Sequence, residues 1–145
     1  MKIQEQDIFH GTALMQIVEH TSFKALNRAT KEYGHYLINT DRQVFAKYST
    51  KKRGPWKFTF QPKDLAAIAS ASDAKDKVFV CLVCGHQTIC ALTEGEIVQV
   101  LDLKSAKQQT VTVEVPKGGS CHVRGSNGDL ARTVPHNSFP DKVFS

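Results

Sequence analysis

The chain predicts an α+β fold: a single domain over residues 1–145, with a curved, mainly antiparallel sheet and helices packed on it. Three observations lead there. Stretches of helical spacing alternate with hairpin-like pairs of strands, an order that favours a segregated antiparallel sheet over a parallel α/β one. At 145 residues the chain is long enough for one substantial core and too short for two ordinary ones. The 78–84 stretch, Val-Phe-Val-Cys-Leu-Val-Cys, is apolar on both faces, as a strand in the middle of a layered domain should be.

Taken in order, Asp7 is placed to cap a helix starting near Ile8, and Ala13, Leu14, Ile17 and Val18 line one helical face. Thr21-Ser22 offers a second cap, and Phe23, Leu26 and Ala29 carry helical spacing to about Thr30. One bent helix or two short ones are therefore expected before Gly34. Strands are expected at 36–38 and 44–48, joined by the turn Asn39-Thr40-Asp41-Arg42, whose Asn and Asp side chains bond nearby backbone. A polar loop over 49–55 leads to a third strand, Trp56–Phe60, with Trp56, Phe58 and Phe60 on one face and Lys57 and Thr59 on the other.

Pro62 suits the first position of a helix, where its missing N–H costs nothing, and that helix should run to about Ser72. After a loop at 73–77, the 78–84 strand turns at Gly85-His86-Gln87 and returns over 88–92. Thr93 and Glu96 then have capping-box spacing ahead of Ile97, Val98, Val100 and Leu101. In the last third, strands are expected at 110–115, 121–124 and 130–134, with a turn at 116–119. Asn127-Gly128 signals a hairpin between the last two. The tail from Pro135 should pack irregularly through Phe139, Val143 and Phe144.

No apolar run approaches the length of a membrane span, and the first residues lack the apolar core of a signal peptide. A cytoplasmic protein with no membrane partner is expected. Its four cysteines, Cys81, Cys84, Cys90 and Cys121, are expected to be reduced.

Charge is the most informative functional signal. The net charge is +5, and residues 47–63 supply six Lys/Arg with no acidic residue. The other 128 residues hold 13 positive and 14 negative charges, so the whole excess lies in this one stretch. A localised excess of this kind is the electrostatic footprint of an anionic partner. The leading expectation is a small nucleic-acid-binding protein, for DNA or RNA, in which Lys47, Lys51, Lys52, Arg53 and Lys57 contact phosphates. Tyr48 or Trp56 could stack on a base, but Trp56 shares its face with Phe58 and Phe60 and reads as core. A protein-interaction or regulatory domain whose loop meets an acidic partner is an alternative, and a solvated basic loop is the plain one.

The remaining reactive residues point less sharply. Cys81 and Cys84 have the spacing of a metal knuckle, but three positions apart on a strand they face opposite ways and read as core. Cys84 and Cys90 could face each other across their hairpin. Six histidines, His10, His20, His35, His86, His122 and His136, include no HExxH or HxH pattern. The Gly118-Gly119 and Gly125-Ser126-Asn127-Gly128 stretches read as turns between strands, not as phosphate cradles.

From the N-terminus to Cys84, the order of helix, three strands, helix and strand resembles the core of the PD-(D/E)XK nucleases. The resemblance is topological, and the family's acidic motif is not intact here. It implies, as an alternative, a divergent nuclease with Glu19, Asp41 and either Lys63 (in Gln61-Pro62-Lys63) or Lys47 (in Phe45-Ala46-Lys47) around a divalent metal. No cofactor is expected outside that alternative, and on balance the chain reads as a binding protein and not an enzyme.

Overall fold

The first helix, α1 (Glu5–Val18), begins earlier than Asp7 as a cap would place it. In the computed structural model, which describes residues 1–145, Gln4 is the N-cap. Asp7 is the third helical residue and its carboxylate accepts the Gln4 N–H at 2.8 Å. Phe9, His10, Ala13 and Ile17 form its buried face.

Helical spacing does not continue to Thr30. The chain leaves the helix at Glu19, and residues Leu26–Arg28 form strand β1 instead. Asn39, at φ 56°, explains the switch: its Oδ1 accepts the N–H of Lys24 at 2.6 Å and of Ala25 at 3.2 Å, while its Nδ2 donates to the Ser22 carbonyl. A side chain fifteen residues away thus takes the donors a helix would have used. All three β1 residues are exposed, so no apolar alternation marks the strand.

Strands β2 (His35–Ile38) and β3 (Arg42–Ser49) pair antiparallel with Tyr36 opposite Val44. The next strand, β4 (Trp56–Phe60), does not join them. It opens a second sheet, so the single curved sheet expected from the sequence is divided in two. Helix α2 (Pro62–Asp73) crosses back to β5 (Lys77–Cys84), which runs parallel to β3 and is buried at every residue but Lys77. β6 (Thr88–Thr93) completes a five-stranded sheet in the order β1-β2-β3-β5-β6. Helix α3 (Glu94–Val100) starts at the expected capping box, with the Glu96 N–H donated to Thr93 Oγ1 and the Thr93 N–H to Glu96 Oε1.

The second sheet is β4 with β7 (Gln109–Glu114), β8 (His122–Gly125) and β9 (Gly128–Asp129), all antiparallel. The hairpin at Asn127-Gly128 forms, although only Gly128 takes positive φ (142°); Asn127 instead donates its N–H to the Val100 carbonyl at 2.9 Å. The strand expected at 130–134 shrinks to a single bridge between Cys121 and Val134. Beyond it the tail ends in a short 3-10 helix, Asp141–Phe144.

The three helices and two mostly antiparallel sheets make an α+β arrangement, and alternation along β5 explains its layering. Val78, Val80, Leu82 and Cys84 point into a core shared with Trp56, Phe58, Phe60, Val111, Val113, α2 and α3. Phe79, Cys81 and Val83 point the other way, to Phe9, Ala13 and Ile17 of α1 and to Phe139 and Val143 of the tail. The first sheet is therefore covered on both faces, which is why its central strand is apolar throughout. No helix is long and apolar enough to cross a membrane.

Candidate nucleic-acid interface

Two loops meet where the parallel strands β3 and β5 end. The first, 49–55, carries Lys51, Lys52 and Arg53, and all three side chains are exposed. The second is the turn at 85–87. Gly85, at φ +55°, lies so close beneath the basic loop that a Cβ there would sit 2.5 Å from the Lys51 carbonyl oxygen. The Gly85 N–H donates to the Ser49 carbonyl, and Gln87 Nε2 donates to that of Lys52 at 3.1 Å.

Trp56 anchors the same loop from within. Its indole is only 1% exposed and is packed among Phe58 and Phe60, while Nε1 donates to the Lys51 carbonyl at 2.8 Å. It belongs to the core and not to a stacking platform, as its strand face implies. The exposed Lys52 and Arg53 side chains extend from a backbone tied down at Ser49, Lys51 and Lys52, whereas the Lys51 ammonium turns back to donate to the Pro55 carbonyl at 3.2 Å.

The other cations of the stretch differ from one another. Lys57 is exposed on β4. Lys47 is half-buried: its Nζ lies 3.2 Å from Asp64 Oδ2 and 4.9 Å from the Phe60 ring centroid, so its charge is already answered within the protein. Lys63 is exposed in the first turn of α2. Lys47 and Lys57 share a cleft of about 420 Å³ at the seam between β3 and β4, with Gln6 and His10 of α1, Tyr33 and Tyr48. The basic loop joins these two strands, so the cleft opens at its base. Tyr33, 76% exposed, and the cleft lining of α1 are what sequence reasoning missed, since no local pattern ties residues 6, 10 and 33 to residues 47 and 57.

Electrostatics in the cleft is mixed. Burial, and less so Lys47, holds His10 below the ordinary imidazole range although Asp7 pulls the other way. Burial and the neighbouring Glu5 carboxylate push the Tyr48 phenol up. The first turn of α1 thus sets acidic groups at the rim of a cleft whose other wall carries two lysines.

The carboxylates and lysines of the nuclease alternative are not brought together. Phe9 stacks on Tyr48 (4.9 Å, 2°) at one end of β3, whereas His20, just past α1, stacks on Phe144, over which Arg42 lies at the other end. Glu19 and Asp41 therefore share the end remote from Lys47 and Lys63. At roughly 3.3 Å per residue, Asp41 and Lys47 are separated by about 20 Å along the strand. Asp41 pairs with its neighbour Arg42 at 3.1 Å, and no group of three or more His, Cys, Asp or Glu is arranged to hold a metal ion.

The histidines also disperse. His20 contacts Asp141 at 2.8 Å. His35 Nε2 donates to Gln43 Oε1 at 2.7 Å, an orientation set by Gln43 donating its amide to Asp76. His86 and His136 line a separate cleft of about 260 Å³, which Phe9 also lines. His122 is exposed on β8.

Cys81 and Cys84 fall in different cores, and burial pushes the Cys81 thiol up to about 12. Cys84 pairs in register with Thr88, not Cys90, because the hairpin register sets Leu82 opposite Cys90. Cys90 instead interacts with Cys121 in the shared core: that neighbour and burial push the Cys90 thiol up, while Cys90 holds the Cys121 thiol down.

No family model, curated protein or solved structure matches the chain.

Proposed function

We propose that this protein binds nucleic acid through the basic edge formed by Lys51, Lys52, Arg53 and Lys57. The observation that carries the reading is that these four cations are exposed and none enters any of the five ion pairs of the chain. Their charge is available to a partner, while that of Lys47 is held by Asp64 and adds to the local field rather than to direct contact. Hydrogen bonds to the Lys51 and Lys52 carbonyls fix the loop before binding, which lowers the ordering cost on association. Phosphate neutralisation by such a loop gives affinity without sequence preference.

The test is the triple variant Lys51→Gln, Lys52→Gln, Arg53→Gln, titrated by fluorescence anisotropy against DNA and RNA oligonucleotides over about 50–200 mM salt. Loss of three phosphate contacts should reduce the slope of log K against log salt by about 2–3. Affinity for both DNA and RNA that is unchanged by the triple substitution would rule the reading out.

A further inference from the structure

The cleft at the base of the basic loop holds a mostly buried imidazole that loop binding does not use. His10 is 9% exposed, its ring edge-on to Tyr48 at 5.6 Å and to Tyr36 at 6.4 Å, and no hydrogen bond of the protein reaches its nitrogens. Its nitrogens are not among the solvent-shielded unpartnered atoms of the chain, so they open to the cleft, where an entering ligand can replace water as their hydrogen-bond partner. Lys57, exposed and in no ion pair, gives the cleft a free cation, Lys47 being answered by Asp64, and one free cation fits the single charge of one phosphodiester. Tyr33 lies on the same cleft with most of its ring in solvent, an arrangement of little use to stability. A cation beside an exposed aromatic face is the pairing that holds unpaired bases, because every base has a π-face and a phosphate close by. In a duplex those faces are already stacked on neighbouring bases, so the ring would have nothing to receive. The cleft volume of about 420 Å³ lies within the range of roughly 300–1,000 Å³ usual for small-ligand sites.

We infer that this cleft takes one nucleotide of a single strand, with its phosphodiester between Lys57 and His10 and its base on Tyr33. This rests on the nucleic-acid reading and narrows it: the loop supplies general attraction, and the cleft selects unpaired strands. The experiment compares single-stranded and duplex oligonucleotides of equal length at one salt concentration. It uses the unaltered protein, Tyr33→Ala and the triple loop variant, and follows the His10 ring resonances by NMR.

The unaltered protein should prefer the single strand. Tyr33→Ala should weaken single-strand binding by about 5- to 150-fold, the range for losing one stacked base, with duplex affinity and the salt slope unchanged. The His10 resonances should move as the single strand is added. The cleft assignment is overturned if Tyr33→Ala binds single strands as the unaltered protein does, or if the His10 resonances stay fixed while the strand is bound. Should the loop variant lose affinity in either of those cases, the basic edge stands and only the cleft falls. If the unaltered protein binds neither strand form, both readings fall together.

Discussion

Trp56→Ala is expected to cost about 3–5 kcal/mol of stability, the range for deleting a large buried aromatic side chain. The indole is buried to 1% exposure in the core between the two sheets. Its six-membered ring lies 2.9 Å from where a Cβ on Gly54 would stand, and its Nε1 lies 3.4 Å from where one on Gly85 would stand. The side chain therefore fills the space between the basic loop and the turn below it, and its removal leaves a cavity that backbone cannot close. The Lys51 carbonyl also loses the donor at 2.8 Å. Since Trp56 is the only tryptophan, urea unfolding must be followed by far-ultraviolet circular dichroism and not by fluorescence. Trp56→Phe should be milder, retaining an aromatic body while losing the N–H. An unfolding midpoint unchanged by the alanine variant would show that the indole does not hold the loop.

Gly125→Ala is expected to be about as damaging for the opposite reason, too little space. A Cβ at this position would stand 2.1 Å from the Val100 carbonyl oxygen and 2.6 Å from Val100 Cβ, where the last turn of α3 presses on β8. The obstacle is backbone, so no rotamer change relieves it. Either α3 moves off the second sheet or the β8–β9 hairpin shifts, which would also break the Asn127 N–H bond to Val100. Overpacking of a close-packed interior costs about 1–3 kcal/mol where side chains can yield, and a cost of about 3 kcal/mol or more is expected here. Gly11→Ala is the control: the added Cβ on α1 meets nothing within 4 Å, and the gain in helix propensity should stabilise by about 0.5–1 kcal/mol. Thermal unfolding of the two variants should move in opposite directions, and a shift of the same sign in both would refute the packing argument.

Elements specified by their own residues were legible. Pro62 at the first turn of α2, the Thr93–Glu96 capping box and the alternation of Trp56–Phe60 all lie where the sequence predicts them, because each depends on atoms a few residues apart. The identity of Trp56 as core followed from the same alternation. Less legible was β1, which has no apolar side and exists because Asn39 and β2 claim its backbone. The α1 start was misplaced by three residues since Gln4, a weak cap by type, forms a reciprocal pair with Asp7.

At the candidate site the division is the same. The concentration of charge in 47–63 and the exposure of its loop could be read from composition and turn chemistry. Which cations remain free could not, because Lys47 is met by Asp64 across a strand and a helix start.

By itself, then, the sequence determined the α+β class, most helix and strand positions, the core role of Trp56 and a basic loop between two strands. Tertiary structure alone decided that β4 leaves the first sheet for a second, that Lys47 is paired, and that His10, Tyr33, Lys47 and Lys57 line one cleft. The physical reason is range. Caps, turns and alternation are settled within a turn or a pleat, whereas sheet membership and clefts depend on which distant apolar faces bury each other.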